Sequence, residues 1–206
     1  MKIDKREKWK EELKQRIEAR FPDKKPNEIN ILELATGHGY FAEIFAELGY
    51  CVIATDMAPG MLAEAKKNNV KYDDRIEFIE MNAEELTFKD ESFDVVFSRY
   101  LTWLLPRPKQ AYSEWRRVLK CGGLLLVYDT METKQKNSEN EKVDDAKAEN
   151  TSRNRIIERS GMTKKLYDDL IALSGELEIG YLKRPEWDVA VLKALGMEAS
   201  SEDATR

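Results

Sequence analysis

The sequence is poor in the residues that several common functions require. Among 206 residues there is one histidine, His38, and there are two cysteines, Cys51 and Cys121. Two thiols cannot form a disulfide framework, and no group of Cys, His and Asp has the spacing of a metal site. Both cysteines stand in apolar stretches, so the expectation is reduced thiols within a core. No nucleophile elbow of the G-x-S-x-G kind occurs. No apolar run is long enough to span a membrane, and the charged N-terminus lacks a signal-peptide pattern, so a cytoplasmic protein is expected. Basic charge is not in excess: 34 Lys+Arg against 39 Asp+Glu leave a net charge of -5. That balance argues against broad binding to nucleic acid or to an anionic membrane surface. Internal repeats and low-complexity tracts are also lacking.

What is present is concentrated between Ile29 and Gly49. Ile29, Ile31, Leu32 and Leu34 form a short apolar run that reads as a buried strand. The strand ends in Ala35-Thr36-Gly37-His38-Gly39, where glycines let the backbone turn tightly and approach a ligand. Tyr40, Phe41, Ile44, Phe45 and Leu48 then recur at helical spacing, with Gly49 at the C-cap. Strand, glycine loop and helix together form the unit that binds nucleotide-like ligands.

The same alternation continues along the chain. Strands are expected at 51–55, 76–79, 93–98 and 124–128, helices at 61–68 and 107–120, and a turn at Gly122-Gly123. Stacked βαβ units of this kind predict an α/β fold with a mainly parallel, doubly wound sheet in a three-layer αβα arrangement. Trp9, Leu13 and Ile17, four residues apart, give residues 1–28 an amphipathic helix, read as packed on the domain edge rather than as part of a lid. Within a single domain spanning 1–206, residues 29–129 form the cofactor-binding core. The charged segment 130–185 is expected to be a mobile cover, and 186–206 a C-terminal helix and tail.

Two cofactors compete for the glycine loop. Gly37-His38-Gly39-Tyr40-Phe41-Ala42 fits the dinucleotide pattern G-x-G-x-x-A, with Asp56 placed as a ribose-binding acid. The alternative is S-adenosylmethionine, whose amino group and sulfonium are cationic. Glu33, just before the loop, would repel a pyrophosphate and attract those cations, which favours the second reading.

The ordered motifs resemble those of class I S-adenosylmethionine-dependent methyltransferases of the ubiquinone-biosynthesis-like type. Glu33-Leu34-Ala35-Thr36-Gly37-His38-Gly39 is similar to the family's E/D-x-G-x-G-x-G. Asp56 resembles the acid ending its second strand, Met81-Asn82-Ala83-Glu84-Glu85-Leu86 its third-strand motif and Phe93-Asp94-Val95-Val96 its fourth. Arg116-Arg117-Val118-Leu119-Lys120-Cys121-Gly122-Gly123 is similar to R-V-L-K-P-G-G. The departures are Ala35 for the first glycine, Asn82 where an Asp is frequent, and Cys121 for proline. The family sheet also closes with two further strands that this sequence does not offer clearly. Either the chain is shortened, or its C-terminal segment or a second chain, as in a homodimer, covers the fifth strand.

The resemblance implies that Glu33 and the backbone of Ala35, Thr36, Gly37 and Gly39 hold the methionine end, and that Asp56 accepts the ribose hydroxyls. Met57 and Met81 would sandwich the adenine beside Asn82 and Ala83, with Met61 and Arg99 completing the cofactor site. Catalysis is then mainly positioning of a small-molecule acceptor. His38, Arg99 and Tyr100 are the candidate catalytic or substrate-contacting residues; Trp103 is read as core. Asp129 is read equally as a substrate contact or a helix cap. Lys183, Arg184 and Trp187 are read as the start of a helix behind Pro185. The rival functions are a noncatalytic S-adenosylmethionine-binding or assembly protein of the same fold and an NAD(P)-dependent oxidoreductase.

Overall fold

The computed structural model describes residues 5–129, 163–165 and 182–202. Most of the expected cover at 130–185 therefore lies outside the described residues. The sheet is built around β1 (Asn30–Leu34), in which every residue after Asn30 is buried, as a central parallel strand covered on both faces requires. β2 (Cys51–Asp56) and β3 (Ile76–Glu80) lie to one side of it. β4 (Phe93–Arg99) and β5 (Leu119–Tyr128) lie to the other, in the order β3-β2-β1-β4-β5 with all pairings parallel. The order reverses between β1 and β4, and a ligand crevice opens beyond the C-terminal ends of strands at such a point.

Alternating side chains divide the interior into two cores. Ile31, Val52, Ala54, Val95 and Phe97 meet Leu13 and Ile17 of α1 (Lys5–Arg20) and Phe41, Ile44 and Phe45 of α2 (Tyr40–Glu47). On the other face, Leu32, Leu34 and Val96 meet Tyr112, Trp115 and Val118 of α4 (Pro108–Val118). Trp187 and Val191 of α5 (Glu186–Ala194) pack against that second core. α3 (Pro59–Asn68) packs on β2 and β3 and starts with its proline, two residues before the expected Met61. The layers and the parallel, doubly wound sheet are those expected.

In the connection from β3 to β4, which holds no helix, Met81, Ala83, Leu86 and Phe88 fill the second core. Several local expectations are corrected. α4 stops at Val118 because Leu119 already pairs with Phe93 of β4. The next pair is Val95 with Leu124, so Lys120 to Gly123 stand opposite Asp94 alone. Gly122-Gly123 is thus a bulge within β5 and not a turn before it. A Cβ at Gly123 would lie 2.7 Å from Leu119 side-chain atoms and 3.0 Å from the Asp94 carbonyl oxygen, which explains the second glycine. Both cysteines are exposed: Cys51 opens β2, and Cys121 lies in the bulge. Trp103 is half-buried rather than part of a core.

Two buried carboxylate clusters fasten the ends of β4 and β5. At the lower end Asp94 accepts from Lys24 Nζ at 2.6 Å, Lys120 Nζ at 2.9 Å and the Asn30 N–H at 3.0 Å. Burial alone would raise its pKa, but these donors together hold it below the ordinary value. At the upper end Arg184 lies 3.2 Å from Asp129 and 2.7 Å from Asp188, whose other oxygen accepts from Tyr112 Oη at 2.7 Å. This chain of contacts locks α5 to α4 and to the end of β5. Replacing Arg184 by Ala removes the buried cation shared by Asp129 and Asp188 and should cost about 3–5 kcal/mol, read by urea denaturation; a loss under ~1 kcal/mol would show that the cluster is not what holds α5.

The loop from β1 to α2 is strained at one position. Ala35, Gly37 and Gly39 have φ of 54°, 55° and 81°, all in the left-handed region. The small side chain of Ala35 therefore does not make it a neutral replacement for glycine, because its Cβ crowds the backbone there. Gly39 is required on a second count: a Cβ would lie 2.4 Å from Asn69 Nδ2 and 3.2 Å from the Ala65 Cβ. Ala35→Gly should raise stability by roughly 1 kcal/mol, measured as an increased denaturation midpoint with an unchanged m value; a lower midpoint would refute strain at this residue.

Candidate functional site

The glycine loop closes over the Glu33 carboxyl. Glu33 is 2% exposed and accepts from Thr36 Oγ1 at 2.9 Å and from the backbone N–H of Ala42 in the first turn of α2. The N-cap of α2 is Gly39, which has no side chain, so Glu33 supplies the acceptor that a capping residue otherwise would. Burial pushes its pKa up to about 8; the Thr36 hydroxyl and Ala42 N–H oppose that rise, and the negative charge of Asp56 adds to it.

The loop's amides are turned inward. Thr36 N–H donates to the Thr55 carbonyl at 2.8 Å, Gly37 N–H to Asp56 Oδ2 at 2.9 Å and Gly39 N–H to the Thr36 carbonyl at 3.0 Å. A pyrophosphate cradle needs such amides directed at the ligand. Here three of them are engaged within the protein, and a buried carboxyl sits at the start of the helix. The arrangement suits a cationic group and disfavours an anionic one.

Asp56 joins the loop to the next two strands. Its Oδ1 accepts from Ala58 N–H at 2.9 Å, and its carbonyl accepts from Met81 N–H at 3.0 Å. Each carboxylate oxygen keeps a further lone pair, so donors from a ligand remain acceptable. Met57 and Met61 lie beside it, 70% and 38% exposed, an unusual position for two large apolar side chains unless something flat covers them. Met81, Asn82 and Ala83 are half-buried at the end of β3. Asn82 Oδ1 accepts from Glu84 N–H at 3.0 Å and so shapes the turn that follows. Asp56, Met57, Met61, Met81, Asn82 and Ala83 thus gather at the C-terminal ends of β2 and β3.

The candidate catalytic residues fall into two places. His38 Nε2 is 3.3 Å from Glu64 of α3, and its carbonyl accepts from Asn68 Nδ2, so its partners lie on the outer side of the loop. Arg99 ends β4, and its guanidinium stacks on the Tyr100 ring. Tyr100 is 42% exposed and has a left-handed φ of 56°. Its N–H donates to the Tyr128 carbonyl at 2.9 Å, while Trp103 Nε1 donates to its carbonyl at 3.1 Å. Asp129 accepts from Thr102 Oγ1 and from Trp103 N–H, so it holds the turn after β4 as well as Arg184. Lys183 forms a 3.3 Å pair with Glu186 at the start of α5, as the helix-start reading expects.

Sequence reasoning missed three participants. Trp9 of α1 reaches the Arg99 guanidinium, as does Phe41 of α2. Ser98 Oγ, fully buried near the end of β4, has no hydrogen-bond partner among the described residues. The apolar stripe of α1 marked Trp9 as inward-facing, but nothing local could say which strand end it meets.

Comparison with known proteins bears on the same segment. Residues 32–127 match the family model described as a methyltransferase domain. A demethylmenaquinone methyltransferase of Clavibacter sepedonicus is 37% identical over 97 residues, which cover 47% of this chain and 39% of the enzyme. The enzyme of the same name from Chlorobaculum tepidum is 39% identical over 105 residues, 50% of this chain and 42% of the enzyme. The chain therefore spans well under half the length of these two relatives. A crystal structure of a Pyrococcus horikoshii OT3 protein aligns with 58% of this chain and 59% of its own, with 31% identity and a TM-score of 0.49. Sheet order, motif order and the family match converge on one segment: residues 32–127 are similar to a methyltransferase domain.

Proposed function

We propose that this protein transfers the methyl group of S-adenosylmethionine to a small-molecule acceptor. The observation that carries the reading is the buried Glu33 carboxyl at the start of α2, under a loop whose amides at Thr36, Gly37 and Gly39 are already engaged. That combination suits an ammonium group and counts against the pyrophosphate of an NAD(P)-dependent oxidoreductase. Glu33 and the loop from Ala35 to Gly39 would hold the methionine end, and Asp56 the ribose hydroxyls. Met57, Met61 and Met81 would cover the adenine faces, with Asn82 and Ala83 at its edge. Once bound, S-adenosylmethionine supplies an activated methyl on a positively charged sulfur.

The chain's own part is to hold an acceptor atom in line and to keep water out. In this reading Arg99 and Tyr100, at the end of β4, would be the residues that contact the acceptor. His38 engages Glu64 and is not the general base in this reading. Asp129 acts by holding Thr102 and Trp103 in position. A small organic acceptor fits the demethylmenaquinone named in the two relatives and the chain's net charge of -5, which gives little attraction for nucleic acid.

S-adenosylhomocysteine at about 100 times its Kd should stabilise the protein by ~2.7 kcal/mol, read as a melting-temperature rise of roughly 5–10 °C. Asp56→Asn should weaken that binding by about 10- to 100-fold, since it removes a charged acceptor of two hydroxyls. No thermal shift at saturating ligand would sink the reading. Stable binding without methyl transfer to any compound of a broad extract would instead assign a noncatalytic role.

The Glu33 pKa gives a second check. It lies near 8 in the folded chain against an ordinary 4.5, so the group's contribution to stability is full below about 4.5 and is lost as pH rises through about 8. Glu33→Gln should therefore flatten the fall in ligand-free stability over that window. At pH 7 an arriving ammonium favours the carboxylate, so binding should release up to about one proton. Calorimetric titrations in buffers of different ionisation enthalpy measure this directly, and heats independent of buffer would show that Glu33 is not the group that meets the amine.

A further inference from the structure

We infer that Asn68 and Asn69, at the C-terminal end of α3, are positioning residues for the methionine half of the cofactor site; the inference deepens the methyl-transfer reading and rests on it. The glycine loop is held from two sides. Inward, the Thr36 hydroxyl donates to Glu33, the Thr36 N–H to Thr55 and the Gly37 N–H to Asp56. Outward, the loop meets α3. Asn68 Nδ2 donates to the His38 carbonyl at 3.2 Å, Asn69 Nδ2 to the Gly39 carbonyl at 3.4 Å, and His38 Nε2 lies 3.3 Å from Glu64. Two successive carbonyls of the loop are thus fixed by two successive side-chain amides at one helix end.

Asn69 is the firmer of the two. It is 3% exposed, and its side chain also donates to the Ala65 carbonyl at 2.9 Å, so the amide is anchored in its own helix before it reaches the loop. Its backbone is fixed as well: the N–H donates to the Ala65 carbonyl at 3.1 Å, and the carbonyl accepts from Tyr72 N–H at 2.9 Å. A Cβ on Gly39 would lie 2.4 Å from Asn69 Nδ2, so the amide nitrogen occupies the space that a side chain at position 39 would need. The Gly39 carbonyl also accepts from Glu43 N–H at 3.0 Å, within the first turn of α2. Asn69 therefore acts on the start of that helix as well as on the loop. Its Oδ1, by contrast, is buried and has no hydrogen-bond partner among the described residues. A buried amide oxygen left unpaired destabilises a fold, so stability alone favours an apolar side chain here. What the amide adds is the hold on Gly39.

α3 joins the two ends of the proposed site. It begins just after Asp56, whose Oδ1 accepts from Ala58 N–H, and carries Met61 in its first turn; its far end meets His38 and Gly39. One helix thus starts at the part assigned to ribose and adenine and finishes against the loop assigned to the amino-acid end. Removing an amide frees the outer edge of the loop and leaves Asp56, Met57 and Met61 untouched. The effect on a ligand should therefore depend on whether that ligand has an amino-acid end.

The full chain is titrated calorimetrically, well below its melting temperature, with S-adenosylhomocysteine and with methylthioadenosine, which keeps the nucleoside and the sulfur but lacks the amino-acid end. Asn69→Ala and Asn68→Ala should each weaken S-adenosylhomocysteine by about three- to tenfold, the range of one neutral hydrogen bond, and change methylthioadenosine by less than about twofold. Asn69→Asp sets a carboxylate oxygen against the Gly39 and Ala65 carbonyls and should weaken S-adenosylhomocysteine further. Asn68 is exposed, so its variant covers the case in which those of Asn69 fail to fold. Hydrogen exchange of the ligand-free chain reads the same hold without a nucleoside: the amides of Thr36, Gly37 and Gly39 should lose protection in the Ala variants while those of β4 keep theirs. A purely structural role would lower the melting temperature and leave both affinities as they were. Equal loss for the two ligands, no loss for either, or unchanged loop protection would overturn the inference. Wild-type protein that does not bind S-adenosylhomocysteine removes the cofactor reading and the inference with it, whereas binding that survives unchanged in the variants removes the inference alone.

Discussion

The Glu33 carboxyl lies between the end of β1 and the first turn of α2, and much of the crevice takes its form from that placement. It accepts from Thr36 and Ala42, and so joins the strand, the loop and the helix that define the cofactor end. Because the helix has glycine at its N-cap, the carboxyl is also the group that satisfies an early helix amide. In the proposed function the same group that closes the fold locally would also select the charge of the ligand. A dinucleotide-binding loop of similar sequence spacing would need those amides and that helix end for phosphate.

β4 runs from one buried carboxylate cluster to another, and the two have different consequences. Asp94 at its lower end collects two lysines and a backbone amide, and the glycine bulge of β5 lets Lys120 reach it. Asp129, beyond the upper end of β5, holds the turn that follows β4 and, through Arg184, the helix near the C-terminus. Buried ion pairs contribute little net stability relative to apolar packing, yet each is costly to break. Their effect here is to fix register and direction: the strand end carrying Arg99 and Tyr100 cannot drift relative to the glycine loop. That rigidity is what a reaction dependent on alignment requires.

Much of the fold was legible because parallel strands and amphipathic helices leave short-range patterns. The apolar run before Ala35, the helical spacing from Tyr40 to Leu48 and the proline that opens α3 each express local geometry. The misread features depend on distant partners. Gly122-Gly123 resembles a turn until Phe93 and Val95 are seen to pair on either side of the bulge. Cys51 and Cys121 stand among apolar neighbours, but exposure depends on which elements cover each position, and among the described residues none buries these. Ala35 resembles a mild substitution until its backbone is known to be left-handed.

The candidate site divides along the same line. The sequence by itself determined the half proposed to take the cofactor, since Glu33, the glycine loop and Asp56 sit at the ends of consecutive βαβ strands, where chain order and strand order coincide. Only the tertiary structure decided the grouping at the end of β4, where α1 and the first turn of α2 bring Trp9 and Phe41, with Tyr100, around the Arg99 guanidinium. Such a cluster leaves no periodic trace, because nothing in the local chemistry of a helix near the N-terminus specifies which strand end it will meet. Packing of the whole sheet makes that choice, through burial of faces far apart in the chain.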